Sequence, residues 1–305
     1  MLIASPGRRR GKSTSGGSAC TSIFQTLSTS SQVSEMAQAK VLNEQFLEKA
    51  REFITRCKTE LNWEDLSEDT VMDIGCGKDF LCSRALLEKF PQIGCLLAID
   101  ALPVMTKEIM EDEFFAEYFR NATLQFHLFD IGDSSGHEGY RNLVHKIVSR
   151  NMLHQVADKE LAFKNMYDLL RPGGHAGIVF CLANDICTWQ VIISSSKNWG
   201  QYKREGTPFF IPANQENNYY KNVLEDLGFR VVRCERKDVQ IQLFSDQSLL
   251  KILLPIAKTN LNIPADRMAQ FKEESVSLFK SVINYSGSGP LHYKASEILL
   301  LAIKR

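Results

Sequence analysis

Apolar positions recur along this chain with two periods, and the alternation between them predicts its architecture. Leu42, Phe46, Ala50, Phe53 and Ile54 fall at helical spacing, so residues 33–61 read as an amphipathic helix. The short apolar run 71–74 reads as a strand, and a glycine-containing turn leads into a helix carrying Leu81, Ala85 and Leu86 that Pro91 ends. The pattern continues with strand 95–99, helix 104–119, strand 123–129, strand 144–148 and helix 159–170. Arg171-Pro172-Gly173-Gly174 then turns the chain into strand 175–182.

Strands separated by helices predict a doubly wound, Rossmann-like α/β sheet of about seven strands. Beyond it helices dominate: Ile186, Trp189 and Ile193 share one face, and a later helix from Pro264 carries Met268, Phe271, Leu278, Phe279 and Val282. Between them lie a helix stopped by Gly228 and a strand 229–233, and the chain closes on an apolar strand, 296–303, expected to run antiparallel. Helical insertions around 185–210 and 245–285 are the material for a cap over the sheet's carboxyl edge. Such a cap predicts a cavity lined by some of Ile186, Trp189, Phe210, Leu253 and Phe279.

Charge narrows the partners. In 305 residues, 36 basic and 36 acidic side chains cancel, which argues against a duplex nucleic-acid binder or a polybasic membrane-surface protein. No apolar run approaches the roughly 18–20 residues that span a bilayer. The eight cysteines form no Cys-x-x-Cys pair, which fits a reducing, cytoplasmic setting. Residues 1–34 are Ser/Thr-rich and basic, with no acid before Glu35, as in a disordered tail or a mitochondrial targeting segment. Residues 35–305 are then expected to hold the folded domain.

An open α/β sheet binds its ligand at the carboxyl ends of its strands. The first such end reads Asp73-Ile74-Gly75-Cys76-Gly77-Lys78-Asp79, where two glycines let backbone approach a ligand. Asp100 closes the second strand, with Ala101 beside it, where an acid can accept both hydroxyls of a ribose. Asp130-Ile131 ends the third, suited to an adenine amino group and ring. A nicotinamide dinucleotide wants a third glycine at a helix N-terminus for its pyrophosphate. Asp79 beside Lys78 stands there instead, and a negative side chain suits a cationic sulfonium with an amino group. The predicted cofactor is S-adenosylmethionine. The histidines show no zinc-site spacing and no Gly-x-Ser-x-Gly elbow is present, so neither a metal nor a serine nucleophile is expected.

In these motifs the chain resembles the class I methyltransferases, the Leu169 to Gly174 turn included. More narrowly, it resembles the arthropod juvenile hormone acid O-methyltransferases. That likeness rests on the segment 149–156 with Leu153-His154, on 165–170, on Lys197-Asn198-Trp199, on Leu227-Gly228-Phe229 and on 263–266. The resemblance implies cofactor contacts from Asp73, Gly75, Cys76, Gly77, Asp100, Ala101, Asp130, Ile131 and Ser149. It also implies methylation of a small lipophilic carboxylic acid of the farnesoid kind, held by His154, Gln155 and Arg150. Trp189 and Trp199 are placed on the substrate side, with Gln32 or Glu35 where the family has a substrate-facing glutamine. The chain departs from the family at Gln155, where a tryptophan is usual, and at Arg150 and Asn151, where aromatics are. These departures keep open a different small acceptor, or a protein that binds the cofactor without turnover.

Overall fold

The computed structural model describes the backbone of residues 20–133, 136–204 and 217–305, and the side chains of 40–133, 136–204 and 218–305. Two compact units divide the chain, Met1–Val41 and Leu42–Arg305. Of the first, only the helical run from Cys20 is described, and the side chains of Gln32 and Glu35 lie outside the described residues. No described helix is long and apolar enough to cross a membrane, and no group of three or more metal-ligating side chains occurs among the described residues.

Helix α1 (Cys20–Glu60) precedes β1 (Thr70–Ile74), α2 (Leu81–Lys89) and β2 (Cys95–Asp100), in the predicted order. The single helix expected over 104–119 is instead two short ones, α3 (Lys107–Met110) and α4 (Ala116–Arg120). Asp112 interrupts it: its Oδ1 accepts from the Phe114 backbone N–H at 3.0 Å and from Arg84 at 2.9 Å, a local turn that competes with helix. There follow β3 (Leu124–Leu128), β4 (Val144–Arg150), α5 (Lys159–Leu169) and β5 (Leu170–Asn184). Asp158 caps α5 through the Leu161 N–H at 2.8 Å. The Arg171 to Gly174 turn is a bulge inside β5, since Leu170 pairs with Val144 but His175 already pairs with Lys146.

Next come α6 (Asp185–Ser195), α7 (Asn217–Asp226), β6 (Phe229–Leu243), α8 (Asp246–Asn260), α9 (Met268–Val282) and β7 (Leu291–Lys304). The last two strands are longer than predicted because their outer halves alternate polar and apolar residues, as antiparallel strands with one wetted face do. The strand order is β3-β2-β1-β4-β5-β7-β6, with β7 antiparallel to both neighbours. Lys304 pins the end of β7, donating to Asn142 Oδ1 and to the carbonyls of Tyr167 and Leu170, each at 2.8 Å. One sheet face packs on residues of α1 and α2, the other on α5 and α7. A third apolar cluster joins α6, α8 and α9 to the far ends of β6 and β7.

Two consequences can be measured. A Cβ on Gly177, in β5, would fall on the buried Cys57 Sγ of α1, with Phe53 Cζ at 3.5 Å. Gly177→Ala is expected to destabilise the fold by about 1–3 kcal/mol in urea unfolding, whereas Gly139→Ala, which meets nothing within 4 Å, stays within about 0.5 kcal/mol of wild type.

The second concerns pH. Trp63 Nε1 donates to His175 Nδ1 at 2.9 Å, and burial holds His175 down to about 4 from its ordinary 6.5, so the fold needs this ring neutral. That stability is complete above 6.5 and is lost as pH falls toward 4. His154, also held at about 4, acts in the same sense, while Asp73, raised from 3.8 to about 7, acts in the opposite one. His175→Gln, which keeps an acceptor for Trp63 but cannot titrate, should therefore lose less Tm than wild type between pH 6.5 and 4. Equal slopes in thermal scans of the two proteins would contradict the assignment.

Candidate active site

Strand order reverses between β1 and β4, and the crevice opened there is where an α/β sheet takes its ligand. The chain leaves β1 through Gly75 and Gly77, at φ +77° and +63°. Both conformations favour glycine. The backbone N–H groups of Gly75 and Cys76 donate to the Ile99 carbonyl at 2.9 and 3.0 Å, tying the loop to the end of β2. Asp100 completes the tie, its Oδ2 accepting from Gly77 N–H and its Oδ1 from Leu102 N–H, each at 3.0 Å. The carboxylate is thus held rigid, with lone pairs still open to the crevice. Asp130 is positioned likewise, Oδ1 accepting from Gly132 N–H at 2.8 Å while the side chain remains exposed.

Other expected cofactor residues support the crevice from beneath. Asp73 is buried, its Oδ2 accepts from Ser83 Oγ at 2.7 Å, and its Oδ1 has no partner among the described residues. Burial raises its carboxyl to about 7, against the pull of Ser83. Ser149 is buried and donates to the Ile74 carbonyl at 2.9 Å, joining the ends of β4 and β1. Cys76 and Ile131 are core residues, and Asn165 of α5 fixes the Ile131 carbonyl at 2.9 Å. Gly75, Gly77, Asp100, Ala101 and Asp130 are the ones left accessible at the strand ends. The sequence reading missed two apolar neighbours. A Cβ on Gly75 would fall on the side chain of Met152, and Leu102 is 63% exposed beside Asp100. The signal was available in their places, each two residues beyond the end of a strand.

Beside the crevice lies a cavity of about 410 Å³. Tyr293, Ala295 and Glu297, on alternate positions of β7, form its floor with Cys181 of β5 and Ile241 of β6. Ile186, Cys187 and Gln190 of α6 and Ile252, Pro255 and Ile256 of α8 form its roof, with Asn151, His154 and Gln155 contributed by the segment after β4. Burial holds His154 down at about 4, Lys159 adding to the effect, so the ring is neutral near pH 7. Burial also pushes the Tyr293 hydroxyl up and the Cys181 thiol up to about 12, and both rises are reinforced by Glu297.

The structure thus brings His154, Gln155 and Ile186 to one cavity, and it separates Arg150 from them. Arg150 pairs with Val179 in the sheet and lines a smaller cleft of about 80 Å³ beneath α1, which shares only Glu297 with the larger one. Trp189 and Trp199 do not line the cavity. Both are fully buried in the cap's own core, where Trp199 stacks edge-on against Phe271 at 5.0 Å and donates Nε1 to Glu274 at 2.7 Å. Leu253 and Phe279 belong to the same core, and Phe210 lies outside the described residues. Large aromatics on the inner stripe of a cap serve its packing first.

Comparison with known proteins agrees with this geometry. Residues 42–234 match the methyltransferase domain family. The juvenile hormone acid O-methyltransferases of Drosophila melanogaster and Bombyx mori are each 22% identical over 226 residues, 73% of this chain and 74% and 77% of theirs. Among solved structures, the YcgJ protein of Bacillus subtilis is similar with a TM-score of 0.51 at 16% identity, covering 83% of this chain and 97% of its own. A putative sarcosine dimethylglycine methyltransferase of Galdieria sulphuraria also reaches 0.51, at 14% identity and 84% of each chain. These likenesses establish the fold, and the domain match covers more than half of the sequence together with the whole glycine-loop crevice: the chain belongs to the methyltransferase domain family.

Proposed function

We propose that the chain transfers a methyl group from S-adenosylmethionine to a small, largely apolar acceptor whose reacting group is a carboxylate. The crevice residues fit the cofactor. Gly77 opens on free space, the accessible acids Asp100 and Asp130 suit a ligand with a cationic centre, and no third glycine provides for a pyrophosphate. Asp100 would accept from the ribose hydroxyls, Asp130 from the adenine amino group, and Leu102 and Met152 would pack on apolar parts. When bound, the cofactor supplies an electrophilic methyl group on a sulfonium. The cap is assigned to α6, α8 and α9, and residues 35–305 are read as the methyltransferase domain, with 1–34 as a preceding tail.

The observation that carries the acceptor class is the absence of a strong base from the described cavity wall. His154 is held near 4 and the Tyr293 and Cys181 protons are held on, so none of them readily deprotonates an alcohol or phenol at neutral pH. A carboxylic acid is already ionised there and needs none. One oxygen–carbon bond forms as the sulfur–carbon bond breaks, opposite charges cancel, and an apolar wall with neutral hydrogen-bonding groups is a suitable surrounding. The protein's part is to orient and to exclude water. The named activity of the two insect relatives agrees with this class.

A second reading rests on Glu297. It is the one carboxylate among the cavity's described lining residues, which include no lysine or arginine, and it favours an amine acceptor.

Two measurements test these readings. Calorimetric titration should show S-adenosylhomocysteine binding to wild type. It should weaken at least about tenfold in Asp100→Ala, through loss of charge-assisted hydrogen bonds, and disappear in Gly75→Arg, which drives a side chain into the crevice. No binding to folded wild type would refute the cofactor assignment. Glu297→Gln should raise kcat/KM on lipophilic acids by about tenfold, the scale of a like-charge repulsion at partly buried separations. A fall in activity on amines, with no gain on acids, would establish the second reading.

A further inference from the structure

Several buried polar side-chain atoms have no hydrogen-bond partner among the described residues. Trp189 Nε1, Ser194 Oγ and Ser275 Oγ belong to residues that line none of the larger cavities. Gln190 Nε2 and His154 Nδ1 differ, because both residues line the 410 Å³ cavity, one from its roof and one from the segment after β4. Gln190 is only 5% exposed and sits on α6 with Ile186 and Cys187, on the face turned to the cavity, one residue from Trp189, whose ring faces the cap core. A carboxamide buried in an apolar helix face without a partner is unfavourable unless something occupies it.

We propose that Gln190, with His154 facing the same space, is the clamp that holds the acceptor's reacting end. The inference rests on the methyltransferase reading above and adds what that reading lacks, a donor on the cap. Gln190 offers amide N–H groups and neutral His154 offers a ring nitrogen that donates or accepts according to its tautomer. An amide donor and a ring nitrogen lining one cavity suit an oxyanion, which accepts from the amide N–H and, in the tautomer that carries the proton on Nδ1, from His154, on an apolar body that the α6 and α8 wall covers. A donor on α6 also couples recognition to the cap, so the acceptor is oriented only where the cap covers it. The clamp's ligand class is thus a carboxylate with an aliphatic body, and Gln190 is its acceptor-binding residue.

The test uses the full chain loaded with S-adenosylhomocysteine and three probes with one tail: decanoate, decanol and decylamine. Binding is measured by calorimetry, independently of turnover. Wild type is expected to bind decanoate more tightly than decanol. Gln190→Leu, of similar volume, should weaken decanoate about ten- to a hundredfold, the loss expected for a hydrogen bond to a charged group, and should leave decanol within about threefold. Gln190→Asn should recover part of the loss. Unchanged affinity for S-adenosylhomocysteine certifies that each variant is folded. Equal weakening of decanoate and decanol would reduce Gln190 to a packing residue, and no effect, or no decanoate binding by wild type, would overturn the clamp. If decanoate and the other lipophilic acids bind through Gln190 but wild type methylates none of them, the clamp stands and the catalytic reading falls.

Discussion

The whole site depends on the ends of two neighbouring strands being locked together while their onward chains diverge. Ser149 donates its hydroxyl to the Ile74 carbonyl, and Asp100 accepts from Gly77 and Leu102. These bonds use side-chain groups to satisfy backbone that strand pairing no longer serves, which is costly to leave unpaired. They hold the glycine loop open without filling it. Helices α1 and α2 cover one face of the sheet and α5 and α7 the other, and the glycine loop lies at the carboxyl edge between them.

Beyond β4 the chain changes its task. Strand β7 runs antiparallel between β5 and β6, and its alternate residues, apolar at Tyr293 and Ala295 but acidic at Glu297, lay a floor beneath the cap. The cap is held by its own aromatic core around Trp189, Trp199 and Phe271, and the adjoining stripe of α6, with Ile186, Cys187 and Gln190, meets the cavity. In such surroundings ionisation is disfavoured. His154 is kept neutral and the Cys181 thiol protonated, and on the proposed reading orientation and desolvation carry the catalysis.

Much of the crevice was legible because its requirements are local. A tight turn after a strand needs glycine at Gly75 and Gly77, and an acid at a strand end, such as Asp100 or Asp130, is visible from strand periodicity alone. Which acids stay accessible at the strand ends was not legible. Asp73 has the same place in its strand as Asp100 nearly has in its own, yet the α2 hydroxyl of Ser83 claims it and burial removes it from the surface. The two tryptophans show the same limit, since a helical stripe says that a side chain is covered, not by what.

The sequence by itself determined the alternation of strands and helices, the doubly wound sheet, the antiparallel last strand and the glycine loop, because each follows from interactions among near neighbours. The tertiary structure alone decided that Arg150 lies in a different cleft from His154, and that, among the described residues, Glu297 is the one carboxylate in the cavity wall and Gln190 Nε2 has no partner there. Those outcomes depend on how the cap folds back over β5, β7 and β6. That docking joins residues more than a hundred positions apart, and no local period records which of them will meet.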